Sequence, residues 1–163
     1  MTDYTIRQAT LANADMDMIV SHRRKMFEDM GGTGQSIQAA FVPRFASWLH
    51  MQMESGKYLA WFAVTAEGEV VAGAGLWLLD WPPGYSDWSP FRGYIFNVYT
   101  NQEHRRKGLG RLVVQAALDW SAAHNICYVS LHASEFGKSL YEAMGFAQTN
   151  EMRVILAPPP NLP

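Results

Sequence analysis

Apolar and polar residues follow two different periods along the chain, and together they predict a mixture of strands and helices. Residues 4–9 alternate in character and carry β-branched side chains, which is typical of a strand. Apolar residues about one helical turn apart recur around Ile19 and again over residues 36–56, and they predict two helices. Asn13 or Asp15 is expected to cap the first helix.

The connection between these two helices is rich in glycine. Three glycines lie within residues 31–34, and Pro43 interrupts the apolar pattern of the second helix. Because proline removes a helical hydrogen bond, we expect either a kink or a helix that begins again with Pro43 in its first turn. The region between the helices is therefore predicted to be a mobile flap or the wall of a ligand site.

The middle of the chain predicts a hairpin and an aromatic loop. Residues 57–64 and 69–78 are aromatic and β-branched runs, which predict strands joined by a short turn at residues 65–68. Residues 80–92 contain three prolines and four aromatic residues without a period, and therefore predict a loop. A loop this aromatic is a candidate pocket wall, although packing onto the domain or onto a second subunit explains it equally well.

The second half predicts two parallel strands joined by a helix. Residues 93–100 form the first strand, residues 109–124 repeat apolar positions at helical spacing, and residues 126–132 form a buried strand. Strands joined by a helical crossover run parallel. A shorter helix at residues 134–144 and a final strand at residues 152–156 complete the predicted α/β fold, a central mixed sheet flanked by helices.

Composition places this pattern in one soluble domain. The length of 163 residues fits a single domain over residues 1–163, with a core at about residues 4–157 and a proline-rich tail at 158–163. The net charge of −2 argues against a nucleic-acid partner, since basic residues are dense only locally. A single cysteine excludes an intramolecular disulfide and a multi-cysteine zinc site. Without a recognisable signal peptide or membrane-spanning run, a cytoplasmic protein that needs no metal and no membrane is expected.

A basic, glycine-rich turn between the strand at residues 93–100 and the following helix is a candidate anion site. The first turn of a helix has main-chain N–H groups without intrahelical partners and carries the positive end of the helix dipole. Two glycines let a phosphate approach the main chain, and positive charges surround them. The turn therefore predicts a phosphate-bearing ligand at Arg105, Arg106, Lys107, Gly108, Gly110 and Arg111.

Two motifs in this order resemble those of the GNAT superfamily of acetyl-CoA-dependent N-acetyltransferases. Residues 105–110, Arg-Arg-Lys-Gly-Leu-Gly, match the family's Arg/Gln-x-x-Gly-x-Gly/Ala signature, and residues 139–146 look like its Leu-Tyr-x-x-x-Gly-Phe segment. The resemblance covers nearly the whole chain. It implies a GNAT fold, in which acetyl-CoA binds between two parallel strands that splay apart.

The resemblance also implies roles for the residues around the cofactor. Main-chain groups of Val98 and Thr100 would pair with the pantetheine arm. The pyrophosphate would be cradled by the amides of Arg106, Lys107, Gly108, Gly110 and Arg111. Ser134 stands where the family often has a pantetheine-binding asparagine, and Gly137 stands where alanine is common. Because a serine hydroxyl is shorter than a carboxamide, we expect the contact of Ser134 to be lost or mediated by water.

Tyr141 occupies the family's usual general-acid position, from which its hydroxyl would protonate the departing CoA thiolate. A phenol, with a pKa of roughly 10, is protonated at neutral pH and suits this step. A helical tyrosine followed by Gly145 and Phe146 is equally a packing residue. Both interpretations of Tyr141 are open from the sequence.

The general base is harder to place, because the strand before the basic turn carries no glutamate. His132 is the first candidate, since its ordinary pKa suits proton transfer near neutral pH. Glu28, Asp80 and Asp87 are alternatives, and so is direct attack by an amine that is already deprotonated. A route through an acetyl-cysteine at Cys127 is disfavoured, because that thiol is expected to be buried in a strand.

The sequence thus predicts transfer of an acetyl group from acetyl-CoA to a primary amine by direct attack in a ternary complex. A CoA-binding sensor that has lost catalysis is the alternative. An unrelated nucleotide-phosphate protein is disfavoured, because the turn lacks a Gly-Lys-Ser/Thr ending. The acceptor would be a small molecule or a peptide amine, and the rings and two aspartates of residues 80–92 favour a cationic or aromatic one. A homodimer is left open.

Overall fold

The described part of the chain forms one mixed sheet of five strands with helices on both faces. A computed structural model describes residues 3–31 and 35–157. In chain order the elements are β1 (Tyr4–Gln8), α1 (Asn13–Asp29), α2 (Gln35–Glu54), β2 (Tyr58–Thr65), β3 (Val70–Asp80), β4 (Phe91–Thr100), a 3-10 turn (Gln102–His104), α3 (Leu109–Ala123), β5 (Val129–Leu131) and α4 (Lys138–Ala143).

The sheet follows the order of the chain, β1-β2-β3-β4-β5. Neighbouring strands from β1 to β4 are antiparallel, whereas β4 and β5 are parallel. The helix α3 makes the crossover between the two parallel strands, as the strand–helix–strand pattern predicts. The predicted α/β class with a mixed sheet is therefore confirmed.

Two apolar layers hold the helices to the sheet. On one face, α3 buries Leu109, Val113 and Val114 against Leu76 and Ile95 of the strands. On the other face, α1 and α2 pack a second cluster, which contains Ile19, Phe45, Leu49, Tyr58 and Phe62. Because β2 and β3 are covered on both faces, they are apolar along nearly their whole length and do not alternate.

The predicted strand at residues 126–132 is too long. β5 spans only Val129–Leu131, and these residues pair with Gly93–Ile95 of β4. β4 continues to Thr100 without β5 beside it. The two parallel strands therefore separate after the third pair, and the ladder of hydrogen bonds that defines a strand ends there.

The predicted final strand at residues 152–156 is wrong. These residues form no strand, and the side chains of Met152, Val154, Ile155 and Leu156 are exposed. Strand propensity leads to a strand only where a neighbouring strand supplies hydrogen-bond partners. Within the described ranges, nothing pairs with the outer edge of β5.

The helix starts also differ from the predictions. Ala12 precedes α1, and no side chain caps that helix. Asp15 instead binds the Arg7 guanidinium at 2.7 and 2.9 Å and the Thr10 amide at 2.8 Å, so it joins β1 to α1. These contacts, the Arg7 hydrogen bond first, lower the pKa of Asp15 to about 2. Pro43 lies inside α2, and the helix does not begin again there.

The remaining sequence predictions for loops have mixed outcomes. The hairpin at residues 65–68 is confirmed, with the Gly68 amide donating to the Thr65 carbonyl at 3.0 Å. α4 begins at Lys138, later than predicted, because Ser134 to Gly137 form a turn. The proposed flap falls largely on residues 32–34, and the proline-rich tail falls on residues 158–163, which lie outside the described residues. None of the described helices is long and apolar enough to cross a bilayer.

A buried histidine on α1 makes the fold sensitive to pH. His22 is only 2% exposed, contacts the rings of Phe62 and Tyr99, and has no hydrogen-bond partner for Nε2. Burial, with a smaller contribution from the charge of Lys25, lowers the pKa of His22 from 6.5 to about 4. The imidazole is therefore neutral in the folded chain at pH values where the unfolded chain protonates it.

We predict that stability falls as the pH is lowered from about 6.5 to about 4, because His22 binds a proton in the unfolded state but not in the folded state. The loss should be on the order of 3 kcal/mol, and it should be absent above pH 7. Urea denaturation at pH 7 and pH 5 should detect about 2 kcal/mol of this loss, which grows by about 1.4 kcal/mol per pH unit between the two pKa values. His22→Gln should flatten this part of the pH dependence, whereas His50→Gln, at an exposed position, should not; equal slopes in both variants would contradict the prediction.

Candidate functional site

β4 contains a bulge at Asn97. The pairing with β3 shifts there, since Gly75 lies opposite Phe96 while Gly73 lies opposite Tyr99. Asn97 has a φ of 56°, in the left-handed region that asparagine tolerates better than most residues. The extra residue interrupts the alternation of side chains between the two faces of the sheet. Phe96 and Asn97 are adjacent in the strand, yet both contact groups on the face covered by α1 and α2.

The side chain of Asn97 is buried, and both its oxygen and its nitrogen form hydrogen bonds. Its Oδ1 accepts a hydrogen bond from Arg23 Nη1 at 2.5 Å, and its Nδ2 donates to the Tyr58 hydroxyl at 2.9 Å. Burial raises the pKa of Tyr58, so this hydroxyl stays protonated. A Cβ atom at Gly75 would lie 1.9 Å from the Tyr58 hydroxyl oxygen, so only glycine leaves room for it.

β4 and β5 diverge after Ile95, just before the bulge, and leave an opening. The last pair between the two strands joins Ile95 to Leu131, and His132 directly follows Leu131 in the sequence. A hydrogen bond joins His132 Nδ1 to the Tyr94 hydroxyl, and the two rings meet edge to face. Burial raises the pKa of Tyr94, so its hydroxyl also stays protonated at neutral pH.

The glycine-rich turn at the end of β4 carries main-chain amides without hydrogen-bond partners among the described residues. Arg106 and Gly108 have φ values of 62° and 77°, and Gly108 directly precedes α3. Among the hydrogen bonds of the described residues, none has a donor amide from residues 106–111. Successive free amides at a helix start form a concave site for an anion.

The basic side chains around this turn divide into two groups. Arg105 forms an ion pair with Asp29 and donates from Nε to the Thr100 carbonyl at 3.1 Å, so it fastens the turn to α1 and β4. Lys107 contacts the Tyr4 hydroxyl at 3.3 Å. Arg106 and Arg111 are exposed and form no ion pair with a described carboxylate. Their charges remain available to a ligand.

Tyr141 of α4 lies beside the apolar layer under α3. Its ring meets Phe146 edge to face at 5.8 Å, and burial raises the pKa of its hydroxyl. The preceding residue, Leu140, reaches to 3.7 Å from where a Cβ of Gly110 would lie, so α4 packs against the glycine-rich turn. At Gly137 a Cβ would come within 2.9 Å of the Tyr141 ring, so alanine at this position would displace the ring or the helix.

The candidate acid and base line one cavity. This cavity, of about 750 Å³, lies between β5, α4 and residues 147–153, and its walls include Tyr94, His132 and Tyr141. Ser134 has its hydroxyl engaged by the Gly137 amide at 3.2 Å, so it supports the turn before α4. Val98 and Thr100 lie on β4 beyond the last pair with β5, at the open side of the strands.

Two of the other candidate bases form ion pairs, and the third is buried. Glu28 binds Arg24 at 2.6 Å, and Asp80 binds Lys57 at 2.5 Å. Asp87 is buried, with Oδ1 accepting from the Ser89 amide at 2.9 Å and Oδ2, 4.0 Å from Arg92 Nε, without a hydrogen-bond partner among the described residues. Tyr85 and Trp88 of the aromatic loop are exposed.

The observed position of Cys127 contradicts the prediction from the sequence that its thiol is buried. Its thiol was expected inside a buried strand, but β5 begins two residues later and Cys127 is exposed. Its Sγ lies 3.7 Å from the Asn125 carbonyl. Within residues 3–31 and 35–157, no three His, Cys, Asp or Glu side chains come together as a metal site.

Sequence reasoning missed the group formed by Arg23, Asn97 and Tyr58. An arginine on an amphipathic helix ordinarily indicates a solvated face. One signal was present, because Asn97 is a polar residue of low strand propensity in the centre of an aromatic strand. Such a residue indicates a bulge or a functional position.

A sequence model described as the acetyltransferase (GNAT) family matches residues 20–146. The chain belongs to this family. A GCN5-related N-acetyltransferase from Ralstonia eutropha JMP134 is 32% identical, with a TM-score of 0.83 over 94% of this chain and 98% of that one. No curated protein sequence matches the chain.

Two further solved structures share the GNAT fold. A predicted acetyltransferase with acetyl-CoA from Clostridium acetobutylicum is 24% identical, with a TM-score of 0.82 over 93% of this chain and 95% of that one. A glucosamine-6-phosphate N-acetyltransferase from Arabidopsis thaliana is 18% identical, with a TM-score of 0.65 over 94% of this chain and 99% of that one. The chain is thus an acyltransferase of the GNAT class.

We predict that Gly75→Ala destabilises the protein by about 1–3 kcal/mol, because the new methyl group would overlap the Tyr58 hydroxyl and force the strands or the ring to move. Urea denaturation measures the change. Gly84→Ala is the matched control, since its Cβ would meet only the Asp87 carbonyl at 3.8 Å. Equal stabilities of the two variants would show that the glycine at Gly75 is not needed for this packing.

Proposed function

We propose that this GNAT protein transfers the acetyl group of acetyl-CoA to a primary amine by direct attack in a ternary complex. The observation that carries the proposal is the separation of β4 from β5 directly beside a turn of free main-chain amides. An opening between two strands suits an extended arm, and an amide-lined helix start suits a pyrophosphate. Acetyl-CoA has both parts, and the relative from Clostridium acetobutylicum is described with it.

The donor would be held mainly by the main chain. Amides of residues 106–111 would bind the pyrophosphate, and the exposed guanidinium groups of Arg106 and Arg111 would add charge-assisted hydrogen bonds. Main-chain groups of Val98 and Thr100 would pair with the pantetheine in the place that β5 leaves open. Arg105 supports this arrangement indirectly, because its ion pair with Asp29 fixes the turn.

Tyr141 is the proposed general acid. The amine nitrogen attacks the thioester carbon, the carbon–sulfur bond breaks, and the hydroxyl of Tyr141 gives its proton to the sulfur. A raised pKa keeps this hydroxyl protonated until the thiolate forms, which is the state that a general acid needs. The amine proton leaves to His132 or to solvent, and the hydrogen bond from Tyr94 would orient the imidazole of His132.

The alternative is a CoA-binding sensor with little or no catalysis. It is favoured by the ion pairs of Glu28 and Asp80 and by the burial of Asp87, which leave no exposed, unpaired carboxylate among the candidate bases. A thiol-release assay separates the two functions. Release of CoA with any amine supports the transferase, whereas tight acetyl-CoA binding without release across a broad amine panel supports the sensor. The single domain, the cytoplasmic location and a homodimer stay predictions.

We predict that Tyr141→Phe lowers kcat by roughly 10²-fold or more and leaves the acetyl-CoA dissociation constant within about twofold, because only the proton donor is lost. Steady-state kinetics with thiol detection and calorimetry with acetyl-CoA measure the two quantities. Tyr85→Phe, at a fully exposed ring, is the control and should match the wild type. An unchanged kcat in Tyr141→Phe across the pH range would remove Tyr141 from the mechanism.

A further inference from the structure

Arg23 of α1 lies inside a box of aromatic rings. Its guanidinium carbon is 4.7 to 5.4 Å from the ring centres of Phe27, Phe41, Phe45 and Phe96. All four distances are within the range of a cation–π interaction. The side chain is half-buried, so the rings have displaced much of its water.

The charge of Arg23 has no carboxylate beside it. Four other arginines face one, at Asp15, Glu28, Asp87 and Asp29, but no described acidic side chain lies within ion-pair distance of Arg23. The residues outside the described ranges, and residues 35–38, include no Asp or Glu that would supply one. A partly desolvated cation without a counter-charge costs free energy, which the rings offset only in part.

Most of the hydrogen-bonding capacity of Arg23 is unused. A guanidinium has five N–H donors in a planar fork, and the described groups accept from Nη1 alone, through Asn97. Nε is buried without an acceptor, and Nη2 has no hydrogen-bond partner among the described residues. The terminal nitrogens therefore retain N–H groups without an acceptor among the described residues, and a planar carboxylate matches their geometry.

The position of Arg23 relates this free charge to the proposed reaction. Its partner Asn97 forms the bulge of β4, directly before Val98. Arg23 packs on the ring of Phe96, and the centre of that ring lies 6.0 Å from the ring centre of Tyr94. The hydroxyl of Tyr94 in turn forms a hydrogen bond with His132, at the end of β5. The guanidinium thus lies on the same face of the sheet as the candidate base, beside the point where the strands part.

We propose that the amine acceptor carries a carboxylate, which pairs with the guanidinium of Arg23 while its apolar part packs among the aromatic rings. The acceptor class is then an amino carboxylate with an apolar or aromatic body. Polyamines and other polycations are disfavoured, because Arg23 would repel them. This inference rests on the proposed acetyl transfer and gives that reaction an acceptor class.

The test uses matched sets of amines that differ only in the charged group. Phenylalanine, phenylalaninamide and phenethylamine form one set, and leucine, leucinamide and isoamylamine form a second; 3-phenyl-β-alanine and its amide extend the panel to another amine position. Thiol release from acetyl-CoA gives kcat/KM for each amine, expressed per concentration of deprotonated amine, because a carboxamide makes the neighbouring ammonium group more acidic than a carboxylate does. The carboxylates should exceed their partners by about tenfold or more, as expected for a charge-assisted, bidentate contact.

Variants assign the preference to Arg23. Arg23→Gln should remove the advantage of the carboxylates by raising their KM, and Arg23→Lys, which keeps the charge but not the fork, should retain only part of it. Arg44→Gln, at an exposed position of α2, should keep the wild-type preference. Because Arg23 also bonds Asn97, circular dichroism and acetyl-CoA affinity are measured for each variant, and the wild-type panel remains decisive if Arg23→Gln does not fold.

The outcomes separate this inference from the function on which it rests. Acetylation of the carboxylates with an advantage that Arg23→Gln abolishes supports both. Acetylation of amides or simple amines as fast as their carboxylates, or an advantage that survives in folded Arg23→Gln, overturns the carboxylate site and leaves acetyl transfer standing. Acetyl-CoA binding without thiol release from any amine overturns the proposed function, and the acceptor class with it.

Discussion

The rest of the site depends on the bulge of β4 at Asn97, which two hydrogen bonds of the Asn97 side chain stabilise. They fix a residue with positive φ in the middle of β4, where a regular strand would have none. The resulting bulge changes which side chains face each layer and accompanies the departure of β4 from β5. The bonding partners come from α1 and β2, and the ring of Tyr58 fits only because β3 has a glycine at Gly75. Four elements of the fold therefore contribute to one strand irregularity.

Features of the site that depend on residues adjacent in the chain could be predicted from the sequence, whereas features that depend on contacts between distant residues could not. Glycine spacing, basic charge and the start of α3 are all encoded within residues 105–111, so the glycine-rich turn and its helix could be predicted directly. The length of β5 depends on how far it stays paired to β4, and the fate of residues 152–156 depends on a partner strand, so periodicity gives neither. Cys127 was misplaced for the same reason, because burial was inferred from a strand that begins later.

Arg23 shows a different limit of sequence reasoning. On a helix that reads as amphipathic, an arginine indicates solvent, and nothing in the neighbouring sequence marks the rings that α2 and β4 bring to it. The role proposed for Arg23 depends on its three-dimensional surroundings, in which the nearby carboxylates of Glu28 and Asp29 pair with other arginines. The ion pairs also explain why a general base is hard to identify, since Glu28 and Asp80 are paired, Asp87 is buried, and His132 is left as the candidate.

The central claim is that the free amides beside Gly108 bind the pyrophosphate of acetyl-CoA, and calorimetric titration of two glycine variants tests it most directly. Gly108 and Gly68 both have positive φ values, and neither Cβ would meet an atom within 4 Å, so alanine at either position adds similar backbone strain of about 1–2 kcal/mol. Only Gly108→Ala should weaken acetyl-CoA binding, by about tenfold or more, because only this change disturbs the amide-lined turn. Wild-type affinity in folded Gly108→Ala, or an equal loss in Gly68→Ala, would contradict the placement of acetyl-CoA at this turn.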